Sequence, residues 1–166
     1  MPQSLSKVIL HIIFNTRDRE PWLDQAIRPR RHAYLATICR DLGGDGFRVN
    51  GVSDHIHIVT TLPRTLSPAE MIEEIKKGFS KWIKTIDRRY RGFFWQRGYG
   101  ALSVSPSQPG AVIKYVNEQE EHHRTQTFKK NIVRYYENTA LSSTNNMFGT
   151  SSQRAMRRAF SANDLF

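Results

Sequence analysis

Cysteine is almost absent. The single Cys39 among 166 residues excludes an intramolecular disulfide and any cysteine-based metal cluster. It sits in the apolar run Tyr34-Leu35-Ala36-Thr37-Ile38-Cys39 and reads as a buried thiol. Long hydrophobic runs are missing too: none approaches the ~20 residues that a membrane span needs. The opening Met1-Pro2-Gln3-Ser4-Leu5-Ser6 carries no basic segment followed by an unbroken apolar stretch, so no secretion signal is expected. These absences point to a cytoplasmic protein with no membrane partner. Acidic residues are the third deficit. There are 15 against 25 lysines and arginines, a net charge of +10. Such an excess favours a polyanionic partner, nucleic acid first, although a basic surface can also be merely solvated.

What is present fits one α+β domain. Hydrophobic residues at 39% and charged residues at 24% are ordinary for a globular chain of this length. The expected domain covers 1–139. From Ala140 the composition shifts to Ser, Thr and Asn, and 140–166 is expected to be a polar, flexible tail. No internal repeat is visible. Lys7–Asn15 reads as a central strand. Asp24 is a candidate cap for a helix over about 25–41, which Pro29 kinks or delays. Leu35, Ile38 and Leu42 are its expected buried face. Phe47–Val52 and the run from His55 to Thr60 read as strands joined by a Ser53-Asp54 turn. Ser67-Pro68-Ala69-Glu70 is a capping-box spacing with proline at the first helical position. It opens a helix to about Tyr90 whose stripe is Met71, Ile75, Phe79, Trp82, Ile83 and Ile86. Ala101–Ser105 is a fourth strand, followed by helices over about 108–124 and 128–138. The first six elements match the ferredoxin-like split βαβ sandwich: an antiparallel sheet with helices on one face and the other face free to hold a site.

Asp54-His55-Ile56-His57-Ile58 carries the first candidate chemistry. Side chains alternate along a strand, so His55 and His57 share one face about 7 Å apart. Two imidazoles so placed can bind one divalent ion if a third ligand arrives from elsewhere. Equally, they can be two histidines on a half-exposed strand. The second stretch is Tyr115-Val116-Asn117-Glu118-Gln119, where Tyr115 and Gln119 are four apart on one helical face, and His122 and His123 continue it. A tyrosine can be a covalent nucleophile when a metal or positive charge lowers its pKa, and Gln119 offers an oxygen for a hard metal. Otherwise Tyr115 is a half-buried amphipathic side chain. Basic side chains fill the third stretch. Lys76, Lys77 and Lys81 line the long helix, either simply solvated or touching phosphate. Arg88, Arg91 and Arg97 are interleaved with Phe93, Phe94, Trp95 and Tyr99. That mixture suits single-stranded nucleic acid, with part of the aromatic set given to the core.

Taken in order, Asp54-His55-Ile56-His57-Ile58, Phe94-Trp95-Gln96-Arg97-Gly98-Tyr99, Tyr115-Val116-Asn117-Glu118-Gln119 and Glu121-His122-His123 resemble the single-tyrosine transposases of the IS200/IS605 type. The related REP-associated tyrosine transposases share the pattern, and the resemblance covers about residues 5–135. It implies that His55, His57 and Gln119 bind one Mg²⁺ or Mn²⁺ and that Tyr115 attacks a phosphate of single-stranded DNA. A 5′-phosphotyrosine and a free 3′-OH would result, and no nucleotide cofactor would be needed. It further implies hairpin recognition at element ends and a homodimer in which the tyrosine helix of one subunit can complete the metal site of the other. Two other readings use the same residues: a non-catalytic DNA-hairpin binder, and a nickase of the replication or relaxase type.

Overall fold

Apolar and branched side chains place Val8–Asn15 (β1) between two antiparallel neighbours, His55–Leu62 (β3) and Gly100–Val104 (β4). The computed structural model describes residues 5–118. All fall within the first of the two units into which the chain divides, Met1–Gln119 and Glu120–Phe166. The helix expected over 128–138, the boundary after 139 and the tail 140–166 therefore lie outside the described residues. Gly46–Gly51 (β2) pairs with β3 as a hairpin, and the sheet order is β2-β3-β1-β4. Arg28–Asp41 (α1) and Pro68–Ile86 (α2) make the crossovers. Strand, helix, strand, strand, helix, strand in this order is the expected ferredoxin-like sandwich. Pro109–Asn117 (α3) follows β4. Among the described residues, no helix is long and apolar enough to cross a membrane.

Alternation along the strands decides the layers. Leu10, Ile12 and Phe14 of β1 and Ile56 and Ile58 of β3 face α1 and α2. There they form one cluster with Leu35, Cys39, Ile72, Ile75, Phe79 and Ile83. Each such side chain contributes about 1.5–3 kcal/mol by leaving water. Cys39 is a buried free thiol, as expected, and burial pushes its pKa up to about 11.

Local chemistry sets the helix ends. Asp24 Oδ1 accepts from the Ile27 N–H at 3.2 Å, just ahead of α1, and Pro29 sits in the first turn, so the helix begins at Arg28 rather than at 25. Its buried stripe is Arg31, Leu35 and Cys39, four apart; Ile38 and Leu42 are only partly buried. Arg31 is fully buried because its guanidinium donates to the carbonyl of Leu23 and, at 2.9 Å, to that of Gly51. It thereby ties the loop before α1 to the end of β2. At α2 the capping box is complete: Ser67 Oγ accepts from the Glu70 N–H at 3.2 Å, and Glu70 Oε2 accepts from the Ser67 N–H at 2.8 Å. The helix stops at Ile86, not Tyr90. The Asp87 carboxylate accepts from the Arg89 N–H at 2.9 Å and starts a separate 3-10 turn over Arg88–Gly92.

Phe79 is fully buried between Trp82, Phe93 and Trp95, with ring centroids 5.2–5.7 Å away. Phe79→Ala should lower unfolding free energy by about 3–5 kcal/mol in urea titration, as large-to-small changes in closed cores do. A loss under about 1 kcal/mol would show that this aromatic layer is not part of the core.

Candidate metal and tyrosine site

The histidine strand is fixed at its start by a crowded hairpin. A Cβ on Gly51 would lie 2.2 Å from the His55 carbonyl oxygen, so only glycine fits there. The Asp54 carbonyl accepts from the Thr16 backbone N–H at 2.8 Å and from Thr16 Oγ1 at 3.1 Å, and the Ser53 carbonyl accepts from the Leu23 N–H at 2.8 Å. Hydrogen bonds from two segments, at Thr16 and Leu23, thus hold the turn that delivers His55. Asp18 and Arg19 nearby have φ of 53° and 54°, a left-handed conformation that costs non-glycine residues on the order of 1 kcal/mol each. That strained backbone brings the Arg19 guanidinium to 3.4 Å from Asp54 Oδ2.

β1–β3 register assembles the rest. Asn15 lies opposite His55 and Ile13 opposite His57, while His11 is the diagonal neighbour of His57. On the other side of β3, Asn50 of β2 lies opposite His57. All are on the sheet face turned away from α1 and α2. His11 Nε2 and His57 Nδ1 are 2.9 Å apart, and the two rings stack with centroids 5.1 Å apart. His55 Nδ1 is 2.6 Å from Asp54 Oδ1. Burial works against the Asp54 carboxylate. The His55 hydrogen bond and the charges of His55 and Arg19 outweigh it and hold the carboxyl below its usual range. Burial pulls His11 down to about 3, so its imidazole is neutral at neutral pH.

Expected as solvent-facing, the histidine face is in fact closed. His11 and His57 are 0% exposed, His55 1% and Tyr115 7%. One physical reason is α3, which lies across β2 and β3 with Val112, Tyr115 and Val116 turned inward. Asn50 Nδ2 donates to the Val116 carbonyl at 2.7 Å and pins the helix there. Tyr115 meets His11 edge-on, with centroids 6.3 Å apart and planes at 76°. His57→Ala therefore removes buried volume as well as an imidazole, and its effect on folding does not separate a structural histidine from a ligand.

The donors suit a divalent ion. An imidazole bound at ~2.1 Å puts its centroid about 3.2 Å from the metal, so two ligands meeting near 100° have centroids about 5 Å apart. His55 and His57 have theirs 5.2 Å apart, inclined at 69°. Each ring has its Nδ1 beside a neighbour, so Nε2 is the nitrogen each would offer to an ion. Among the described residues, no group of three His, Cys, Asp or Glu side chains forms a metal site, so a third donor of another type is needed. Gln119 is the first residue after the described range. A second oxygen is close: Asn15, 2% exposed and opposite His55, has a buried Oδ1 without a hydrogen-bond partner among the described residues. Two imidazoles with amide oxygens accommodate Mn²⁺ or Mg²⁺. Sequence reasoning missed His11, Asn15 and Asn50. The local signal was two polar residues four apart, His11 and Asn15, in an otherwise apolar β1, and the pairing that gives them meaning is not local.

The basic candidates divide. Lys77, Lys81, Arg88, Arg91 and Arg97 are exposed, on α2, the 3-10 turn and the loop before β4. Lys77 and Lys81 are one helical turn apart. Lys76 differs: its ammonium donates to the carbonyls of Gln96 at 2.8 Å and Gly98 at 2.7 Å, and burial lowers its pKa to about 8. It staples the loop to α2. The aromatics divide as well, with Phe93 fully buried and Phe94 51% exposed beneath the Lys84 ammonium, 4.2 Å from the ring centroid. A groove of about 550 Å³ between α2 and this loop is lined by Ile72, Lys77, Trp95, Arg97 and Tyr99 among others, and none of the histidines borders it.

The family comparison accords with this geometry. Residues 4–119 match the model of the family described as transposase IS200-like. The chain belongs to the IS200-like transposase family. None of the curated proteins matches it. Among solved structures, a candidate transposase from Deinococcus radiodurans R1 is similar at 16% identity and a TM-score of 0.56, over 72% of this chain and 98% of that one. A REP-associated tyrosine transposase, solved bound to a REP hairpin, is similar at 17% identity and a TM-score of 0.55, over 74% of this chain and 73% of that one. At such identities the likeness is one of fold.

Lys76→Met should lower the melting temperature through loss of the loop staple, since each lost hydrogen bond from a charged group costs about 1.5–3 kcal/mol. Lys77→Ala with Lys81→Ala should leave melting unchanged while weakening DNA binding and flattening its salt dependence. Unchanged melting in Lys76→Met would show that the carbonyl contacts hold nothing in place.

Proposed function

We propose that this IS200-like transposase cleaves and rejoins single-stranded DNA at hairpin-bearing element ends, with Tyr115 as nucleophile. The observation that carries the reading is the convergence on one sheet face of the His55–His57 pair and Tyr115, with His11 in contact with both His57 and the tyrosine ring. Tyr115 Oη would attack the scissile phosphorus, form a tyrosine–phosphate ester and break the bond to the 3′ oxygen, which leaves as a 3′-OH with one proton. A second 3′-OH would reverse this, attacking the ester and releasing the tyrosine. Ester energy is retained throughout, so no nucleotide cofactor enters. His55, His57 and Gln119 would hold Mg²⁺ or Mn²⁺, which supplies Lewis-acid polarisation of the phosphate. Asp54 and Asn50 would act on position: the first orients the His55 ring, the second seats the end of α3 that carries Tyr115. Exposed Lys77, Lys81, Arg88, Arg91 and Arg97 would bind the hairpin backbone.

We also propose a homodimer, in which the tyrosine and the histidines of one working site come from the same or from different subunits. A second reading, a hairpin binder that does not cleave, draws on the burial of the site, because no phosphate reaches His55, His57 or Tyr115 until their cover shifts.

Incubation with a single-stranded element end and Mn²⁺, then denaturation, should leave a protein–DNA adduct on a gel. Tyr115→Phe should bind the hairpin equally well and form none. An adduct that persists in Tyr115→Phe would put the nucleophile elsewhere, and no adduct under hairpin-bound, metal-replete conditions would favour the binder. If subunits share sites, mixing Tyr115→Phe with His57→Leu should restore part of the cleavage. Absence of complementation in demonstrated heterodimers would place both groups on one chain.

A further inference from the structure

His11 stands out because strand β1 is otherwise apolar where it crosses the centre of the sheet. Its imidazole is fully buried, and it meets both His57 and Tyr115. We infer that His11 is a positioning residue that holds His57 in the tautomer protonated at Nδ1, so that His57 presents the Nε2 lone pair to a metal. The inference rests on the metal reading of His55 and His57 above.

The 2.9 Å contact between His11 Nε2 and His57 Nδ1 holds one proton, donated by one ring and accepted by the other. If His11 donates, neutral His57 carries its own proton on Nε2 and has no lone pair there. If His57 donates from Nδ1, His11 Nε2 accepts and His57 Nε2 can ligate. Only the second arrangement matches that of His55, whose Nδ1 faces the Asp54 carboxylate at 2.6 Å, an acceptor that directs its Nε2 outward as well. The two ligands would then be set by different partners: a carboxylate for His55, a neutral ring for His57. A neutral acceptor fixes orientation without adding negative charge beneath a site that must receive phosphate. The stacking of the two rings, 28° apart in plane, adds a second constraint on the His57 ring.

Two measurements test this on the full-length protein. In the native, metal-free protein at neutral pH, two-bond ¹H–¹⁵N correlations of the imidazoles should show His57 protonated at Nδ1 and His11 Nε2 unprotonated. His57 protonated at Nε2 overturns the inference. Mn²⁺ binding without DNA, followed by electron paramagnetic resonance, should weaken about 10- to 100-fold in His11→Leu, the usual range for loss of an outer-shell partner. His11→Gln, whose amide oxygen reaches about where Nε2 lies, should recover most of the affinity. His11→Leu that melts like the native protein and binds Mn²⁺ as tightly overturns the inference while leaving the metal reading intact. Native protein that binds no Mn²⁺, or His57→Leu that binds it as well as native, sinks the metal reading and this inference with it. Should His11→Leu fail to fold, the tautomer measurement decides alone.

Discussion

Pairing of β1 with β3 determines where His11, Asn15, His55 and His57 go. The antiparallel register that sets Ile13 against His57 and Asn15 against His55 puts Leu10, Ile12, Phe14, Ile56 and Ile58 on the opposite face, into the helical core. A slip of β1 by one residue would exchange its faces, turning His11 and Asn15 towards α1 and α2 and Leu10, Ile12 and Phe14 away from them. Hydrophobic burial on one face therefore enforces polar convergence on the other. Stability and chemistry are specified by the same hydrogen-bonded ladder, and the hairpin at Gly51, the Thr16 contacts and the Arg31 bracket all act at the end of that ladder where His55 begins.

Much of this was legible in the chain. Alternation of His and Ile at 55–58, the Ser67–Glu70 capping box and the strand–helix order are local patterns, and each gave the right element. What failed to show has a common cause. His11 looked like one polar interruption in an apolar strand, because its meaning depends on a partner 46 positions away. Arg31 did not read as core, because a buried guanidinium is tolerated only where carbonyls such as those of Leu23 and Gly51 meet it. The closed state of the histidine face was missed for a related reason. A period-two pattern of His and Ile is the same whether the polar side meets water or a second layer, and only the placement of α3 over β2 and β3 distinguishes them. Lys76 likewise belonged to an apparently uniform lysine helix until the carbonyls of Gln96 and Gly98 were found around its ammonium. Gln119 and the helix expected after it lie outside the described residues.

The closed site also shapes how the chemistry would be run. Imidazoles packed against neighbouring rings are held in orientation, as the His11–His57 contact illustrates, and a tyrosine held edge-on to a neighbouring ring has few rotamers to lose. The same enclosure withholds the groups from a polymer as bulky as DNA. Family membership and the strongly basic surface make DNA the natural partner, so binding of the strand and opening of the cover would be coupled steps.

In the proposed site, His55 and His57 together ligate one divalent ion on the buried face. Electron spin-echo envelope modulation of the Mn²⁺-loaded native protein reports directly on coordinated imidazole nitrogen. Ligation by both gives ¹⁴N modulation from two histidines, reduced to one in His55→Leu and in His57→Leu. Mn²⁺ bound without any imidazole modulation, or modulation unaltered by both substitutions, would contradict it.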